Sequence, residues 1–213
     1  LEFSISSGDK ISILGPSGCG KSTVIKIIAK LIEPCKGIIE YNNSSLKIDL
    51  ISQVDSLIEW LTVEENIDLN LATTDINSLL KAFKLIGFEK YYPKALSAGM
   101  RKRVLLASSI IQNPDIVFLD EAFSGLDMKL KIELIKDIFE KNYLPHTYVL
   151  VTHDIMEAIL LTDKIIILSE RPTRINSIID IKKETVNPYD YVNTTQYHKY
   201  YSLVFEKLIL QSK

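Results

Sequence analysis

Four short apolar runs divide the chain and predict the strands of one sheet. Each run is rich in Ile, Val and Leu and lacks the polar alternation of a half-exposed strand; the runs cover residues 10–14, 115–119, 148–152 and 164–168. Continuous apolar runs of this kind are typical of strands that are buried on both faces, as in a parallel sheet covered by helices. Longer segments with helical spacing separate them, at residues 22–31, 128–141 and 155–162. Strands that alternate with helices predict an α/β fold with a mainly parallel sheet.

The middle of the chain departs from this alternation. Residues 55–111 contain helix-like pieces at 63–71 and 76–87 but no clear strand. We interpret this segment as an α-helical subdomain inserted into the α/β lobe. The end of the chain is rich in tyrosine, which predicts an amphipathic helix that packs back on the domain. A length of 213 residues suits a single domain. Its expected parts are an α/β lobe (1–54 and 112–180), the helical subdomain (55–111) and a helical tail (181–213).

Composition and charge exclude several classes of protein. Lys plus Arg is 25 and Asp plus Glu is 27, so the net charge is −2. This balance argues against a nucleic-acid-binding surface, which normally shows a basic excess. No apolar run approaches the roughly 20 residues that a membrane-spanning helix needs. The 2 cysteines cannot form a disulfide framework, which favours a reducing compartment.

A phosphate-binding loop follows the first predicted strand. Residues 15–22 read GPSGCGKS, which fits G-x-x-x-x-G-K-[ST] in the expected strand–loop–helix context. Backbone N–H groups converge on phosphate in such a loop, Lys21 reaches the β- and γ-phosphates, and the Ser22 hydroxyl can bind Mg²⁺. A glycine-rich turn without a ligand is the alternative. Because Cys19 lies inside the loop, we expect its alkylation to block nucleotide binding. The candidate ATP-binding residues are Gly15, Pro16, Ser17, Gly18, Cys19, Gly20, Lys21, Ser22 and Thr23.

A second apolar strand ends in two carboxylates, Asp120 and Glu121. A parallel strand delivers its C-terminal residues to the crevice in which open α/β sheets bind ligands. Asp120 is therefore suited to hold Mg²⁺, and Glu121 is suited to polarise an attacking water. A solvated acidic pair is the alternative, which the nearby phosphate loop disfavours.

Five features in this order resemble the ATP-binding-cassette (ABC) ATPases. They are the loop 15–23, Gln53, the segment LSAGM at 96–100, the Asp120-Glu121 pair with SGLD at 124–127, and THD at 152–154. The LSAGM signature separates this family from other phosphate-loop NTPases. The resemblance implies a phosphate-loop NTPase (RecA-like) lobe, ATP and Mg²⁺ as cofactors, and ATP hydrolysis.

The resemblance also implies roles for individual residues, each of which has a plainer alternative. Gln53 would touch Mg²⁺ and the lytic water, or it is a surface glutamine at a strand end. Ser97 and Gly99 would meet the γ-phosphate bound by the opposite subunit, and Ser97 is equally a helix N-cap. Asp127 would bridge the two subunits or cap the following helix. His153 would contact the γ-phosphate beside Glu121, or it is a structural histidine at a strand end.

Within the family, residues 59–62 (EWLT) and 163–175 resemble importer subunits of the nitrate, sulfonate and taurine type. This likeness implies a head-to-tail homodimer or paired cassette on the cytoplasmic face of the cell membrane. Its partners would be transmembrane permease subunits and a solute-binding protein, without nucleic acid. The EWLT segment lies where relatives receive a permease helix, although Trp60 could instead be core. A soluble cassette ATPase and a nucleotide-gated binding module with low turnover are the alternative functions.

The sequence departs from the family pattern at two places, and each departure leads to an expectation about the fold. The interval from Lys21 to Gln53 is 32 residues, which is short, so we expect the antiparallel strand region around 37–52 to be trimmed. Only 14 residues precede Gly15. We therefore expect the N-terminal strand region to be truncated, without the aromatic residue that stacks on adenine, and Phe3 to be a core residue of the second strand.

Overall fold

The computed structural model describes residues 1–43, 45–52, 56–69, 76–140, 143–183 and 187–209. The four strands that the sequence predicts are present in the predicted order, together with two further strands. In chain order they are β1 (Lys10–Leu14), α1 (Lys21–Ile28), β2 (Ile48–Ile51), α2 (Val63–Ile67), α3 (Ile76–Ala82), a 3₁₀ turn (Pro93–Ala95), α4 (Ala98–Ile111), β3 (Ile116–Asp120), α5 (Met128–Glu140), β4 (Thr147–Val151), α6 (Ile155–Leu161), β5 (Lys164–Leu168), β6 (Ile175–Asp180), α7 (Pro188–Tyr191) and α8 (Thr195–Ile209).

The six strands form one sheet in the order β2-β3-β4-β1-β5-β6. Strands β1 to β5 are parallel to their neighbours, and β6 is antiparallel to β5. Val151 of β4 is level with Ile13 of β1 on one side and with Asp120 of β3 on the other. Since neighbouring strands lie about 4.8 Å apart, the ends of β1 and β3 are separated by roughly 10 Å at one edge of the sheet. The phosphate loop and the acidic pair both leave the sheet at this edge.

Apolar side chains cover both faces of the sheet. Tyr148 and Leu150 of β4 belong to one hydrophobic cluster, and Val149 and Val151 belong to the other. The first cluster takes its helical residues from α2 to α8, whereas the second takes Ile25 from α1. This two-sided burial explains why the strands are continuous apolar runs, and it confirms that part of the prediction.

The predicted elements differ from the observed ones mainly at their ends and at the edges of the sheet. The predicted helix 22–31 ends at Ile28, and the piece predicted at 76–87 ends at Ala82. The described residues of the region 37–52, where we expect a trimmed antiparallel region, contain no antiparallel strand. The strand found there, β2, pairs parallel with β3, which the sequence did not predict. Phe3 packs against the second hydrophobic cluster as expected, but residues 1–9 form no strand.

The helices between β2 and β3 are tied together by buried polar side chains. Arg103 of α4 is 8% exposed, and its Nη1 donates to the carbonyl oxygens of Phe83 and Lys84, each at 2.9 Å. Burial lowers the pKa of Arg103, whereas the carboxylate of Asp127 raises it. Arg103 therefore fixes the end of α3 against α4, the helix that begins at the LSAGM segment.

The C-terminal helix packs on the domain through a narrow face. Tyr197 and Val204 of α8 are buried, as the amphipathic pattern predicts. Other large apolar side chains of this helix are exposed, among them Tyr201 and Phe205, whose rings stack on each other. None of the described helices is both long enough and apolar enough to cross a membrane.

Candidate functional site

The phosphate loop connects β1 to the N-terminus of α1. Gly20 precedes the helix in the left-handed region, with φ 108°, and no side chain caps the helix. The N–H groups of the first turn therefore remain available at the helix end, where the helix dipole is positive. Such a helix end is a ready-made site for phosphate. The observed strand, loop and helix are those that the GPSGCGKS motif requires.

The far side of the loop is packed against β5 and the segment that follows it. A Cβ atom at Gly15 would lie 2.9 Å from the carbonyl oxygen of Leu168 and 3.2 Å from Sγ of Cys19, so only glycine fits there. The Thr173 hydroxyl donates to the carbonyl oxygen of Cys19. The sequence offered no signal for this contact, because it joins residues 154 positions apart.

Cys19 faces the interior of the protein. Its side chain is 3% exposed and belongs to the hydrophobic cluster that contains Ile25 of α1. A thiol in this position is screened from reagents by the folded chain. The expectation that alkylation of Cys19 blocks the site is therefore corrected, because the thiol points into the core and only its backbone lines the loop.

The Lys21 side chain folds back onto the start of the phosphate loop. Its side-chain nitrogen donates to the carbonyl oxygens of Gly15 at 2.8 Å and of Pro16 at 2.9 Å. These bonds hold the ammonium group among the backbone groups of the loop. A phosphate bound there would meet a positive charge as well as N–H donors, as the motif predicts.

Asp120 and Ser22 come together across the edge of the sheet. The Ser22 hydroxyl donates to Oδ1 of Asp120 at 3.0 Å, and Asp120 is 2% exposed. Burial raises the pKa of this carboxyl, the Ser22 hydrogen bond lowers it, and the neighbouring Glu121 raises it. A hydroxyl and a carboxylate beside a phosphate loop are the hard oxygen ligands that Mg²⁺ prefers. The pair fits the predicted metal site, in which both residues are candidate ligands.

Glu121 occupies a strained turn directly after β3. It is a non-glycine residue in the left-handed region, with φ 53°, and its N–H donates to the carbonyl oxygen of Val151 at 2.8 Å. Such a conformation costs of order 1–3 kcal/mol and persists only where the surroundings enforce it, commonly at functional sites. Here Lys102 of α4 contributes, because its Nζ donates to the Glu121 carbonyl oxygen at 2.7 Å and to the Ser124 hydroxyl at 2.5 Å. The sequence-based prediction missed Lys102.

His153 lies beside Glu121 at the mouth of the site. Its Nδ1 is 3.2 Å from Oε1 of Glu121, although the two residues are 32 positions apart in the chain. The His153 side chain is 70% exposed and that of Glu121 is 21% exposed. A carboxylate and an imidazole in contact at an open edge can orient a water between them and a bound phosphate.

The signature residues lie at the start of α4. The Ser97 hydroxyl accepts a hydrogen bond from the N–H of Met100 at 3.3 Å, and a Cβ at Gly99 would lie 3.0 Å from Cδ2 of Leu126. Asp127 caps α5, since its Oδ1 accepts from the N–H of Leu130 at 3.0 Å. Both N-cap interpretations are confirmed. They are compatible with intersubunit roles, which stay predictions.

The last two residues singled out in the sequence are Gln53 and Trp60. Gln53 lies outside the described residues. Trp60 is 78% exposed, so the interpretation of this side chain as core is wrong. The neighbouring Glu59 forms an ion pair with Arg101 of α4. The exposed loop that carries Trp60 is thus joined directly to the helix that begins at Ser97.

Comparisons with known proteins agree with this geometry. Residues 1–124 match the family described as ABC transporter. An uncharacterized ABC transporter ATP-binding protein of Bacillus subtilis (strain 168), YtlC, is 40% identical over 98% of this chain and 86% of its own length. The aliphatic sulfonates import ATP-binding protein SsuB of Bacillus cereus (strain ZK / E33L) is 38% identical over 85% of this chain and 77% of its own. The dimeric structure of MJ0796, a bacterial ABC transporter cassette, superimposes with a TM-score of 0.70 at 29% identity, covering 84% of this chain and 88% of that one.

Proposed function

The chain belongs to the ABC transporter family and is an ATP-binding cassette ATPase, and from this we propose that it powers a membrane importer as a head-to-tail dimer. The observation that carries the proposal is the placement of two helix N-termini. One follows the phosphate loop, and the other is the exposed Ser97 end of α4. Both ends favour phosphate for the same electrostatic reason. The MJ0796 cassette, which is dimeric, supports the proposed dimer. In our proposal each ATP lies between the phosphate loop of one chain and Ser97 of its partner.

Within one such site, each residue has its own proposed role. Lys21 and the loop N–H groups bind the phosphates, and Ser22 with Asp120 would hold Mg²⁺, which neutralises charge on the β- and γ-phosphates. Glu121 polarises the attacking water, and His153 orients that water and contacts the γ-phosphate. Gln53 is proposed to sense the same metal and water. Catalysis then consists mainly of positioning and electrostatic stabilisation.

The surface around Trp60 is the proposed docking site for the transmembrane permease. Trp60 is 78% exposed, and the neighbouring Glu59 is paired with Arg101 of α4. Exposed aromatic residues are favoured anchors of protein interfaces. A permease helix on this loop would therefore act on the same helix that presents Ser97. Such an assembly places the chain at the cytoplasmic face of the membrane.

The proposed cargo is a small solute of the nitrate, sulfonate or taurine type, or a related organic molecule. The support is the name of the SsuB relatives, which are aliphatic sulfonates import ATP-binding proteins. An external solute-binding protein would complete the importer. Cargo selection would then reside in the partner proteins, because the site in this chain is built for a nucleotide.

The shared site is tested by the ATPase rate per chain as a function of protein concentration. We expect the rate per chain to rise with concentration in the wild-type protein, because the site forms only when two chains meet. Ser97→Arg should abolish this rise, since a bulky cation replaces the serine at the phosphate-facing helix end. Ser202→Arg on the exposed side of α8 is the matched control and should behave as wild type. A measurable rate that is independent of concentration and unchanged in Ser97→Arg contradicts the proposal.

A further inference from the structure

A buried cluster of charged side chains lies directly behind the turn that carries His153. Nζ of Lys131, in the first turns of α5, is 2.7 Å from Oδ2 of Asp154 and 2.6 Å from Oε1 of Glu157. The other Glu157 oxygen accepts from the Thr152 hydroxyl at 2.5 Å. The cluster thus joins α5, the histidine turn and α6.

The cluster holds the two residues on either side of His153. The Thr152 hydroxyl accepts from the N–H of Asp154 at 3.0 Å, and Oδ1 of Asp154 accepts from the N–H of Met156 at 2.8 Å. Thr152 and Asp154 are therefore bound to each other, and both are linked to Lys131, Asp154 directly and Thr152 through Glu157. The His153 side chain itself is 70% exposed and is in contact with Glu121. The backbone on both sides of the imidazole is fixed while the imidazole remains open to the site.

Burial makes this cluster costly unless all of its members are paired. The side chains of Lys131 and Glu157 are 10% and 2% exposed. Burial raises the pKa of Glu157. Burial lowers the pKa of Lys131, but its hydrogen bonds to Asp154 and Glu157 outweigh this effect and raise it. Apolar residues often replace a buried ion pair without loss of stability, so stability alone does not account for such a cluster.

The position of Lys131 in the chain adds a second connection. Its backbone N–H donates to the carbonyl oxygen of Asp127 at 2.9 Å, one helical turn earlier. Asp127 caps α5 and is the residue proposed to bridge the two subunits. One short helical segment therefore carries both the intersubunit aspartate and the ammonium group that holds the histidine turn.

We propose that Lys131 is a positioning residue for His153, which it holds in reach of Glu121 by fixing Thr152 and Asp154 from α5. The proposal rests on the proposed role of His153 at the γ-phosphate. The Lys131 ammonium group pairs with Asp154 and Glu157, so its effect passes through the turn that carries the imidazole. Loss of Lys131 should therefore slow hydrolysis and leave the binding of ATP, which depends on the phosphate loop, unchanged.

The test is a double-mutant cycle between Lys131→Met and His153→Ala, with single-turnover ATP hydrolysis and ATP affinity as separate readouts. Misplacement of a catalytic group by about 1 Å can cost up to about 10²-fold in rate. We expect Lys131→Met to lower the hydrolysis rate 10- to 100-fold, with ATP affinity within about twofold of wild type. In the His153→Ala background the same change should have no further effect. Lys131→Arg should restore most of the rate, and Lys129→Met, an exposed lysine of the same helix, should match wild type.

The outcomes separate this inference from the proposed function. If His153→Ala hydrolyses ATP at the wild-type rate, the role of His153 is wrong and the inference fails with it. If His153→Ala is slow but Lys131→Met lowers the rate by the same factor in both backgrounds, or not at all, only the inference is overturned. If Lys131→Met does not fold, the cycle is run with Lys131→Met/Glu157→Gln, which also removes one buried carboxylate. The same lack of additivity is expected there, and additive losses again overturn the inference.

Discussion

Asn66 holds the loop that carries Trp60. Its replacement by alanine should lower the free energy of unfolding by an amount that follows from its hydrogen bonds. Asn66 is 3% exposed, and its Oδ1 accepts from the N–H of Ile58 at 2.8 Å. Its Nδ2 lies 3.1, 3.0 and 2.9 Å from the carbonyl oxygens of Ile58, Leu61 and Thr62. The side chain therefore closes residues 58–62 onto the first turn of α2.

The magnitude follows from the bonds that cannot be replaced. The carbonyl oxygen of Ile58 also accepts from the N–H of Leu61, and that of Thr62 accepts from the N–H of Asn66 itself. The bonds lost outright by Asn66→Ala are those to the N–H of Ile58 and the carbonyl oxygen of Leu61. At about 1 kcal/mol for each net bond and somewhat more for a buried group left unpaired, the loss is about 2–3 kcal/mol. The better helix propensity of alanine returns about 0.5 kcal/mol, which leaves about 2 kcal/mol.

Two measurements check this value. Thermal or urea unfolding followed by circular dichroism should show the loss, which corresponds to a Tm lower by roughly 4–8 °C for a chain of this size. The chain has 1 tryptophan, so quenching of its fluorescence reports on the loop itself. Asn42→Ala, an exposed asparagine of the loop before β2, is the control, with an expected change within about 0.5 kcal/mol. A loss below about 0.5 kcal/mol for Asn66→Ala, or an equal loss for the control, would refute the reasoning.

Three further predictions concern the site and its surroundings. Because burial raises the pKa of Asp120, folding favours the protonated carboxyl and ionisation of this carboxyl opposes folding. The stability that the protonated carboxyl contributes is fully present below the ordinary carboxyl pKa and is lost as the pH rises through the raised pKa of the folded protein. Asp120→Asn, in EDTA without nucleotide, should therefore unfold at a higher temperature than wild type at pH 7, and the difference should vanish as the pH falls below the ordinary carboxyl pKa; an Asn variant that is less stable at pH 7 contradicts this. A thiol reagent should modify Cys35 of the native chain quickly and Cys19 only on unfolding, because Cys35 is exposed and Cys19 is buried, and mass spectrometry of the labelled peptides decides between them. Trp60→Ala should leave the ATPase activity of the free cassette within about twofold of wild type and reduce its binding to the permease subunits by 10-fold or more, as expected for loss of an aromatic anchor; binding of equal strength would exclude Trp60 from the interface.

Elements that are buried on both sides could be predicted from the sequence. The strands β1, β3, β4 and β5 are continuous apolar runs, and each lies within one residue of its predicted position. Strand β6 was missed because it is an edge strand whose side chains alternate between partly buried and exposed. Strand β2 is only 4 residues long and partly buried, and its direction depends on its partner β3 rather than on its own pattern.

The chemistry of the site was predictable where a motif fixes local geometry and was missed where distant segments meet. The loop 15–23 follows from its motif, and Asp120 follows from its place at the end of an apolar strand. The inward side chain of Cys19 does not, because it depends on packing against β1 and α1. Two signals could have indicated the Lys131 cluster. Glu157 is the single charge in the apolar run of α6, and Lys131 shares the apolar spacing of α5 with Leu134 and Ile138.

The central claim is that two copies of the chain close around ATP, with Ser97 of one copy facing the phosphate loop of the other. Sedimentation velocity of Glu121→Gln, with and without Mg²⁺ and ATP, tests it most directly, because this change should preserve ATP binding and stop hydrolysis, so that a dimer formed around ATP accumulates. We expect a monomer without nucleotide, a dimer with saturating ATP, and a monomer in both conditions when Ser97→Arg is added. A Glu121→Gln chain that stays monomeric with ATP, or one that dimerises equally well with Ser97→Arg, would contradict the account.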